Sequence, residues 1–262
     1  MNKIVGFGLA AAAVVVVVIV GSQLFGSAGG LGAGPTPTPE PTATPEPSMA
    51  EPSSSAATGL PVGSSFTLVT AEGPLESSIH ATIPAPGWWD DGGTLTNTGD
   101  GTAPDGGSLE PDGAYIFGTW IGEPLIPSDP CQWASTMPDT PATTLEEIAA
   151  GLASQATRDA STPVDVTADG HPGTSITLHV PGDIAYSANE FTDCDEGKFC
   201  TLGFAAEATC YMWYQGPDEF QEIWIIDVDG EFYYMTGNYW PGTPPEVVEE
   251  VGAILGSMTF GE

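Results

Sequence analysis

The chain has 262 residues, of which 35 are acidic and three are basic, giving a formal net charge of −32. This balance excludes nucleic acid as a partner and disfavours anionic lipid, because phosphate binding requires clustered lysine and arginine. The negative net charge favours an acidic, soluble surface, and it is compatible with cations as partners or with a high-salt medium. The first sixty residues do not have a globular composition, which leaves about 200 residues, enough for one domain with a sizeable core.

An uncharged apolar stretch runs from Ile4 to Phe25. It reaches the roughly 20 residues that a helix needs to cross the hydrocarbon core of a membrane. Lys3 precedes the stretch and the carboxylates follow it, so the positive-inside rule predicts a cytoplasmic N-terminus and an extracytoplasmic remainder. We predict a transmembrane anchor over residues 1–26, with residues 4–25 in the membrane. A cleaved signal peptide is the alternative, and it would export the domain equally.

Residues 27–60 are rich in Gly, Pro, Thr and Ser and are predicted to form a disordered linker. Within them, Pro35 to Pro47 reads PTPTPEPTATPEP, and repeated proline favours an extended polyproline II rod. At about 3.1 Å per residue, such a linker spans at most on the order of 100 Å. It would hold a domain away from the membrane, and its Ser and Thr could carry O-linked sugar.

Residues 61–262 contain short alternating segments that predict an antiparallel sheet. Asp229-Gly230 between two such segments is a strong hairpin signal, and Asp169-Gly170 indicates a second hairpin or short connection. Ile223 to Ile226 is apolar at every position, which predicts a central strand. The predicted strands are 65–70, 78–83, 94–98, 114–121, 164–167, 175–180, 221–228, 231–236 and 258–260.

Two helices are predicted from their capping signals. Thr144 to Glu147 is a capping box, and the apolar spacing that follows predicts a helix ending near Thr157. Thr243 is the predicted N-cap of the second helix, with Pro244 at its first position and Gly256 at its end. The predicted fold class is therefore α+β, with an antiparallel sheet of about five to seven strands and two helices packed on it.

Three short motifs occur in a fixed order along this domain. They are DPCxW at Asp129–Trp133, DCD at Asp193–Asp195 and WIxDVDG at Trp224–Gly230. Together with the two helices, they resemble a group of exported, uncharacterised bacterial domains over residues 60–262. The order of strands and helices also resembles the Mog1/PsbP-like α/β sandwich, at the level of the fold. Neither resemblance implies an activity.

Four cysteines in an exported chain predict two disulfides, for which three connectivities are possible. The resemblance favours Cys131–Cys194, because this pair joins two of the shared motifs. Cys200–Cys210 would then close a local excursion. Zinc binding is the alternative, although the spacings between the cysteines match no ordinary zinc pattern.

Calcium is the candidate cofactor, because several segments rich in aspartate and glycine offer hard oxygen ligands. They do not fit an EF-hand loop, and turn formation accounts for the same residues. The three histidines have no metal-ligand spacing. The calcium candidates are Asp90, Asp91, Asp100 and Asp105, and the histidines are His80, His171 and His179.

The aromatic residues divide into two predicted groups. Rings at strand ends or in loops could stack on sugar, whereas rings within strands usually belong to the core. The possible ligand-facing rings are Trp88, Trp89, Trp213, Tyr214, Tyr239 and Trp240, and the predicted core tryptophans are Trp120, Trp133 and Trp224.

Two functional hypotheses remain open from the sequence. The first is a non-catalytic surface module that binds a cell-wall polymer, a small ligand or another protein, and it predicts exposed aromatics or an apolar groove. The second is an extracytoplasmic carboxylate-based hydrolase, which predicts a pocket with perturbed carboxylates or a His–carboxylate contact. No nucleophile–base motif is present, which favours the first hypothesis.

Overall fold

The computed structural model describes residues 59–69, 78–104, 109–204 and 209–261. They belong to one compact unit that spans Ser54–Glu262. The predicted membrane segment at 4–25 and residues 27–58 of the predicted linker lie outside the described residues, so both stay predictions. Within the described ranges, no helix has the length and apolarity needed to cross a membrane.

Strands dominate the domain, and we number them β1 to β16 in chain order. The strands are Ser65–Val69, Ser78–Thr82, Trp89–Asp91, Thr94–Asn97, Ala114–Trp120, Pro124–Leu125, Asp159–Ala160, Val164–Ala168, His171–His179, Tyr186–Ser187, Glu190–Phe191, Cys200–Phe204, Thr209–Trp213, Phe220–Val228, Glu231–Tyr239 and Thr259–Gly261. The helices are α1 Trp133–Thr136, α2 Leu145–Ala153 and α3 Pro245–Gly256, and a 3-10 turn covers Asp195–Gly197.

An eight-stranded antiparallel sheet forms the centre of the domain. Its order is β3-β4-β5-β15-β14-β9-β7, and β8 also pairs with β9. The hairpin β14–β15 turns at Asp229 and Gly230, whose φ angles of 57° and 91° suit the turn that an Asp-Gly pair favours. Strand β14 pairs with both β15 and β9, so the predicted central strand is confirmed.

The central sheet is covered on both faces, which gives the domain two main apolar cores. Because side chains alternate along a strand, Ile226 of β14 packs with α3 and the small sheet β1-β2-β16, whereas Ile225 packs on the opposite side. That second core holds Ile148 of α2 and Leu202 of β12, which belongs to the sheet β13-β12-β6. Burial on both faces explains why β14 reads as a continuous apolar run.

The predicted α+β class with antiparallel pairing is confirmed, but the predicted five to seven strands are too few. The central sheet alone has eight strands, and three smaller sheets accompany it among the described residues. Most of the additional strands have two or three residues, which is too short for alternation to be legible. The cysteine pair near β12 and β13 therefore joins paired strands rather than closing an irregular excursion.

Both predicted helices are present, with shifted ends. Helix α2 is capped as predicted, because the Thr144 hydroxyl accepts a hydrogen bond from the Glu147 backbone N–H, but it stops at Ala153 instead of Thr157. Helix α3 begins at Pro245, and Thr243 does not cap it. The Thr243 hydroxyl donates instead to the Gly113 carbonyl, at 2.7 Å, so a tertiary contact takes the place of the local cap.

Candidate functional site

A cavity of about 600 Å³ lies at the end of the central sheet where β5 begins and β15 ends. Five aromatic rings and four carboxylates line it, together with one lysine. The aromatic residues are Tyr115, Tyr186, Trp213, Tyr214 and Trp240, and the charged ones are Asp91, Glu110, Glu190, Glu196 and Lys198. A volume of this size is typical of small-molecule sites, and the mixture of rings and oxygen acceptors suits a polyhydroxylated ligand.

One wall of the cavity is the 3-10 turn Asp195–Gly197, and the sequence motifs fix its position. The disulfide Cys131–Cys194 joins DPCxW to DCD immediately before the turn. The Trp133 indole N–H donates to the Asp195 carbonyl at 2.9 Å, and one Asp195 carboxylate oxygen accepts from the Ala134 N–H at 2.9 Å. The two motifs therefore hold in place the segment that carries Glu196 and Lys198.

Lys198 and Trp213 meet at the wall of the cavity. The Lys198 ammonium lies 5.0 Å from the centroid of the Trp213 ring and 3.4 Å from a carboxylate oxygen of Glu196. A cation over a tryptophan face is attracted by the ring quadrupole. The cavity therefore supplies its own cation to this ring, and 41% of Trp213 remains exposed.

Glu219 supports the cavity from below without lining it. Its side chain is fully buried, and one carboxylate oxygen accepts from the Tyr115 hydroxyl at 2.8 Å. The other oxygen accepts from the backbone N–H groups of Gln215 and Gly216. Burial raises the pKa of Glu219 to about 7, against the opposing effect of these hydrogen bonds. Because Tyr115 and Gln215 line the cavity, Glu219 fixes two of its lining groups.

Two residues of the lining hold buried polar atoms that lack a hydrogen-bond partner among the described residues. They are the Thr96 hydroxyl and the Trp240 indole N–H. Thr96 is 3% exposed and Trp240 is 4% exposed. Leaving such groups unpaired costs about 1–3 kcal/mol each, so buried polar groups normally have a partner.

The structure brings three of the six predicted ligand-facing aromatics together in this cavity, namely Trp213, Tyr214 and Trp240. The other three lie elsewhere. Trp88 is fully buried and donates to a carboxylate oxygen of Glu250, Trp89 is half-buried in β3, and Tyr239 stacks on Phe220.

Burial corrects the sequence interpretation of several aromatic rings. Tyr214 and Trp240 are 1% and 4% exposed, so they form the floor of the cavity instead of a free platform. Trp133 is buried as predicted, in a small core with Cys200 and Cys210, whereas Trp120 and Trp224 are half-buried at the edge of the core that includes α3. Tyr115 and Tyr186 were not among the predicted ligand-facing rings, the first because it lies in a regular strand and the second because its segment is rich in turns.

Two of the four calcium candidates accept hydrogen bonds within turns. The Asp90 carboxylate accepts from the Gly93 N–H, and the Asp100 carboxylate accepts from Thr98 and Thr102, which lowers its pKa. Asp91 lines the cavity, and Asp105 lies outside the described residues. In the part of the chain that the structure describes, no three His, Cys, Asp or Glu side chains group as metal ligands.

The histidines lie apart from the cavity. His179 stacks on Phe220 and has Asp218 and Asp159 at 3.5 Å and 3.8 Å. A His80 ring nitrogen lies 3.1 Å from the Thr67 hydroxyl, and His171 packs on Phe260. His179 is thus the histidine with the carboxylate contacts that a hydrolase would use, but the residues that line the cavity do not include it.

All four cysteines form disulfides in the favoured pairing, with Cys131–Cys194 and Cys200–Cys210. Disulfides persist in oxidising compartments, so they support an extracytoplasmic location for the domain. Because all four cysteines are in disulfides, none of them is left as a thiolate that could bind zinc, which was the alternative to disulfide formation. The fold and the cavity together define a disulfide-linked α+β domain with an aromatic and acidic ligand-sized cavity.

No family model matches the chain, and no curated protein matches it. One similar solved structure is LpqN, described as involved in cell envelope biogenesis of Mycobacterium tuberculosis, at 12% identity and a TM-score of 0.36, covering 76% of this chain and 91% of LpqN. Another is cyanobacterial PsbP (CyanoP) from Synechocystis sp. PCC 6803, at 10% identity and a TM-score of 0.33, covering 78% and 96%. At such low scores, neither similarity identifies an activity for this chain.

Proposed function

We propose that this chain is a membrane-anchored, extracytoplasmic and non-catalytic binding module that holds a neutral carbohydrate in the cavity beside Trp213. The observation that carries this proposal is the convergence, on one cavity, of five aromatic rings and four carboxylate acceptors. Sugars present apolar ring faces for stacking and hydroxyl groups for hydrogen bonding, so one ligand would satisfy both features.

Charge narrows the class of ligand. The lining has four carboxylates against Lys198, and the whole chain carries a net charge of −32, so an anionic ligand would be repelled. A cationic ligand would compete with Lys198 for the Trp213 ring. A neutral ligand has neither penalty.

The carboxylate-hydrolase alternative is less well supported by the geometry. Glu219 has a pKa of about 7, which is suitable for acid–base chemistry, but it is fully buried and is engaged by Tyr115, Gln215 and Gly216. A general acid must reach the atom that it protonates, usually within hydrogen-bonding distance or through one water. The burial and the hydrogen bonds of Glu219 therefore favour a structural role for this residue in a binding site.

Isothermal titration of the full-length chain tests the proposal. The protein would be kept in a zwitterionic detergent without a sugar headgroup and titrated with cello-, manno- and N-acetylglucosamine oligosaccharides. We expect binding in at least one series, and we expect Trp213→Ala to weaken it about tenfold through loss of the exposed ring. Tyr239→Ala, which removes a ring outside the cavity, serves as the matched control and should bind normally.

Two results would contradict the proposal. If none of the three series binds, or if Trp213→Ala binds as tightly as the wild type, the cavity is not a carbohydrate site. Chromatography of the sugar recovered after titration adds a second test, because a binding module returns the oligosaccharide intact and a hydrolase returns shorter products.

A further inference from the structure

A second cavity, of about 530 Å³, lies near the turn of the β14–β15 hairpin. Its lining is largely apolar, with two carboxylates and one threonine hydroxyl. The lining side chains that matter here are Trp120, Ile121, Glu123, Phe204, Glu231 and Phe232. This cavity shares no lining residue with the cavity beside Trp213.

Strands β12 and β13 connect the two cavities. Trp213, the last residue of β13, lines the first cavity, and Phe204, the last residue of β12, lines the second. Phe204 pairs in register with Thr209, the first residue of β13. Trp213 lies four residue steps along the strand from Thr209, which corresponds to about 13 Å.

Exposed rings mark the path along β13. Tyr211 and Trp213 lie on the same face because side chains alternate along a strand, and they are 40% and 41% exposed. The Tyr211 ring packs against Phe204 in a tilted arrangement, with the ring centroids 3.9 Å apart. We call Trp213, Tyr211 and Phe204 the aromatic track. Lys198 contacts the Trp213 ring and Phe204 contacts the Tyr211 ring, and the exposed parts of Trp213 and Tyr211 are open to a ligand.

We infer that the ligand is a linear neutral polysaccharide, which lies along the aromatic track and reaches both cavities. This inference rests on the function proposed above and specifies its ligand as a polymer. Alternate residues along a strand are about 7 Å apart, so one extended ligand could contact both Tyr211 and Trp213. A chain of sugars could therefore pack against these two exposed rings while its hydroxyl groups meet the carboxylates in the cavities.

Charge and geometry favour a neutral polysaccharide over an anionic polymer or a peptide. Glu110, Glu190 and Glu196 line one cavity, and Glu123 and Glu231 line the other, so both ends of the path repel an anionic polymer. The exposed rings of Tyr211 and Trp213 suit the repeated flat faces of sugars better than the varied side chains of a peptide.

A length series in isothermal titration tests the inference on the full-length chain, in the same detergent. The probe is the oligosaccharide series that binds, from the monosaccharide upwards. We expect the affinity to rise with length until both cavities are reached and then to level off. Tyr211→Ala should weaken the long oligosaccharides about tenfold and leave the shortest binding member unchanged. Tyr211→Phe, which keeps the ring, should bind as the wild type does.

The outcomes separate the two proposals. If affinity does not depend on length and Tyr211→Ala binds normally, the aromatic track is wrong while the cavity site stands. If no sugar binds, both proposals fail. If a synthetic peptide of residues 35–47 binds and Tyr211→Ala abolishes its binding while leaving every oligosaccharide unaffected, the occupant of the track is the proline-rich segment of the chain itself, and the polysaccharide inference is overturned.

Discussion

At the scale of the residue, Glu219 is a buried carboxylate that supports the cavity. Desolvation raises its pKa from the ordinary 4.5 to about 7, although Gln215, Tyr115 and Gly216 donate hydrogen bonds to its anionic form. The folded protein therefore holds the proton of Glu219 more tightly than the unfolded chain does. Protonation of Glu219 stabilises the fold, and this contribution is complete below the unfolded pKa and is lost as the pH rises through 7.

This linkage predicts a measurable change in the stability of the wild type with pH. Between pH 5 and pH 8, Glu219 should contribute a loss of about 2–3 kcal/mol in the free energy of unfolding. Glu219→Gln, which carries no titratable proton, should remove that part of the slope. Urea unfolding at a series of pH values measures how the free energy of unfolding changes with pH in each protein.

The matched control is Glu249→Gln, at an exposed position on α3. It should keep the slope of the wild type. A Glu219→Gln variant whose stability depends on pH as strongly as that of the wild type would show that Glu219 does not titrate in this range.

At the scale of the element, the two disulfides have different roles. Cys131–Cys194 closes a loop of sequence separation 63 and anchors the turn that carries Glu196 and Lys198. Cys200–Cys210 closes a separation of 10 between the paired strands β12 and β13, and its cysteines pack with Trp133 in a small core of their own. The longer loop should therefore restrict the unfolded chain more.

Replacing each cysteine pair by serine tests this difference. In the chain-entropy model, removal of Cys131–Cys194 should cost about 4 kcal/mol of stability and removal of Cys200–Cys210 about 3 kcal/mol. Urea unfolding of the two double variants measures these costs. The first variant should also lose affinity for the oligosaccharide, because the turn beside the cavity is no longer held. Equal stability losses with unchanged affinity would contradict the assigned roles.

At the scale of the whole molecule, the charge and the disulfides point to the same environment. A chain with 35 acidic and three basic residues can form few internal ion pairs, so burial and covalent bridges must stabilise it. The two cores and the two disulfides supply that stabilisation. An oxidising, extracytoplasmic compartment is where such bridges persist.

The predicted topology can be tested in intact cells. A protease-cleavable tag fused after Glu262 should be removed by protease added from outside the cells. The reason is that the predicted membrane segment from Ile4 to Phe25 would keep Lys3 in the cytoplasm and export the residues that follow it. A cytoplasmic protein of the same cells, which must stay intact, serves as the control. Protection of the tag would overturn the export of the domain.

The fold could be predicted where local signals are strong. The Asp229-Gly230 turn fixes the β14–β15 hairpin, and the Thr144 capping box fixes the start of α2, because both depend on residues close in sequence. Strands of two residues, such as β6 and β7, could not be predicted, because their pairing is decided by distant partners. The end of α2 was also missed; the chain beyond it is held by tertiary contacts, such as those from the Gln155 amide to the carbonyls of Pro127 and Thr201.

The candidate site was predicted less completely than the fold. Of the rings predicted to face a ligand, Trp213, Tyr214 and Trp240 line the cavity, whereas Trp88, chosen by the same reasoning, is buried under α3. Tyr115 and Tyr186 were missed because nothing in their local sequence distinguishes a ring that faces a cavity from one that packs in a core. Which rings share a cavity depends on how several strands and loops meet.

By itself, the sequence determined the acidic character of the protein, its antiparallel α+β class, its main hairpin and the starts of its helices to within about two residues. These properties follow from composition and from interactions between neighbours in the chain. The tertiary structure alone decided which cysteines pair, which carboxylate is buried, and which aromatic rings meet at each cavity. Those properties depend on residues far apart in sequence, whose distances are set when the sheet and its two covering layers pack together.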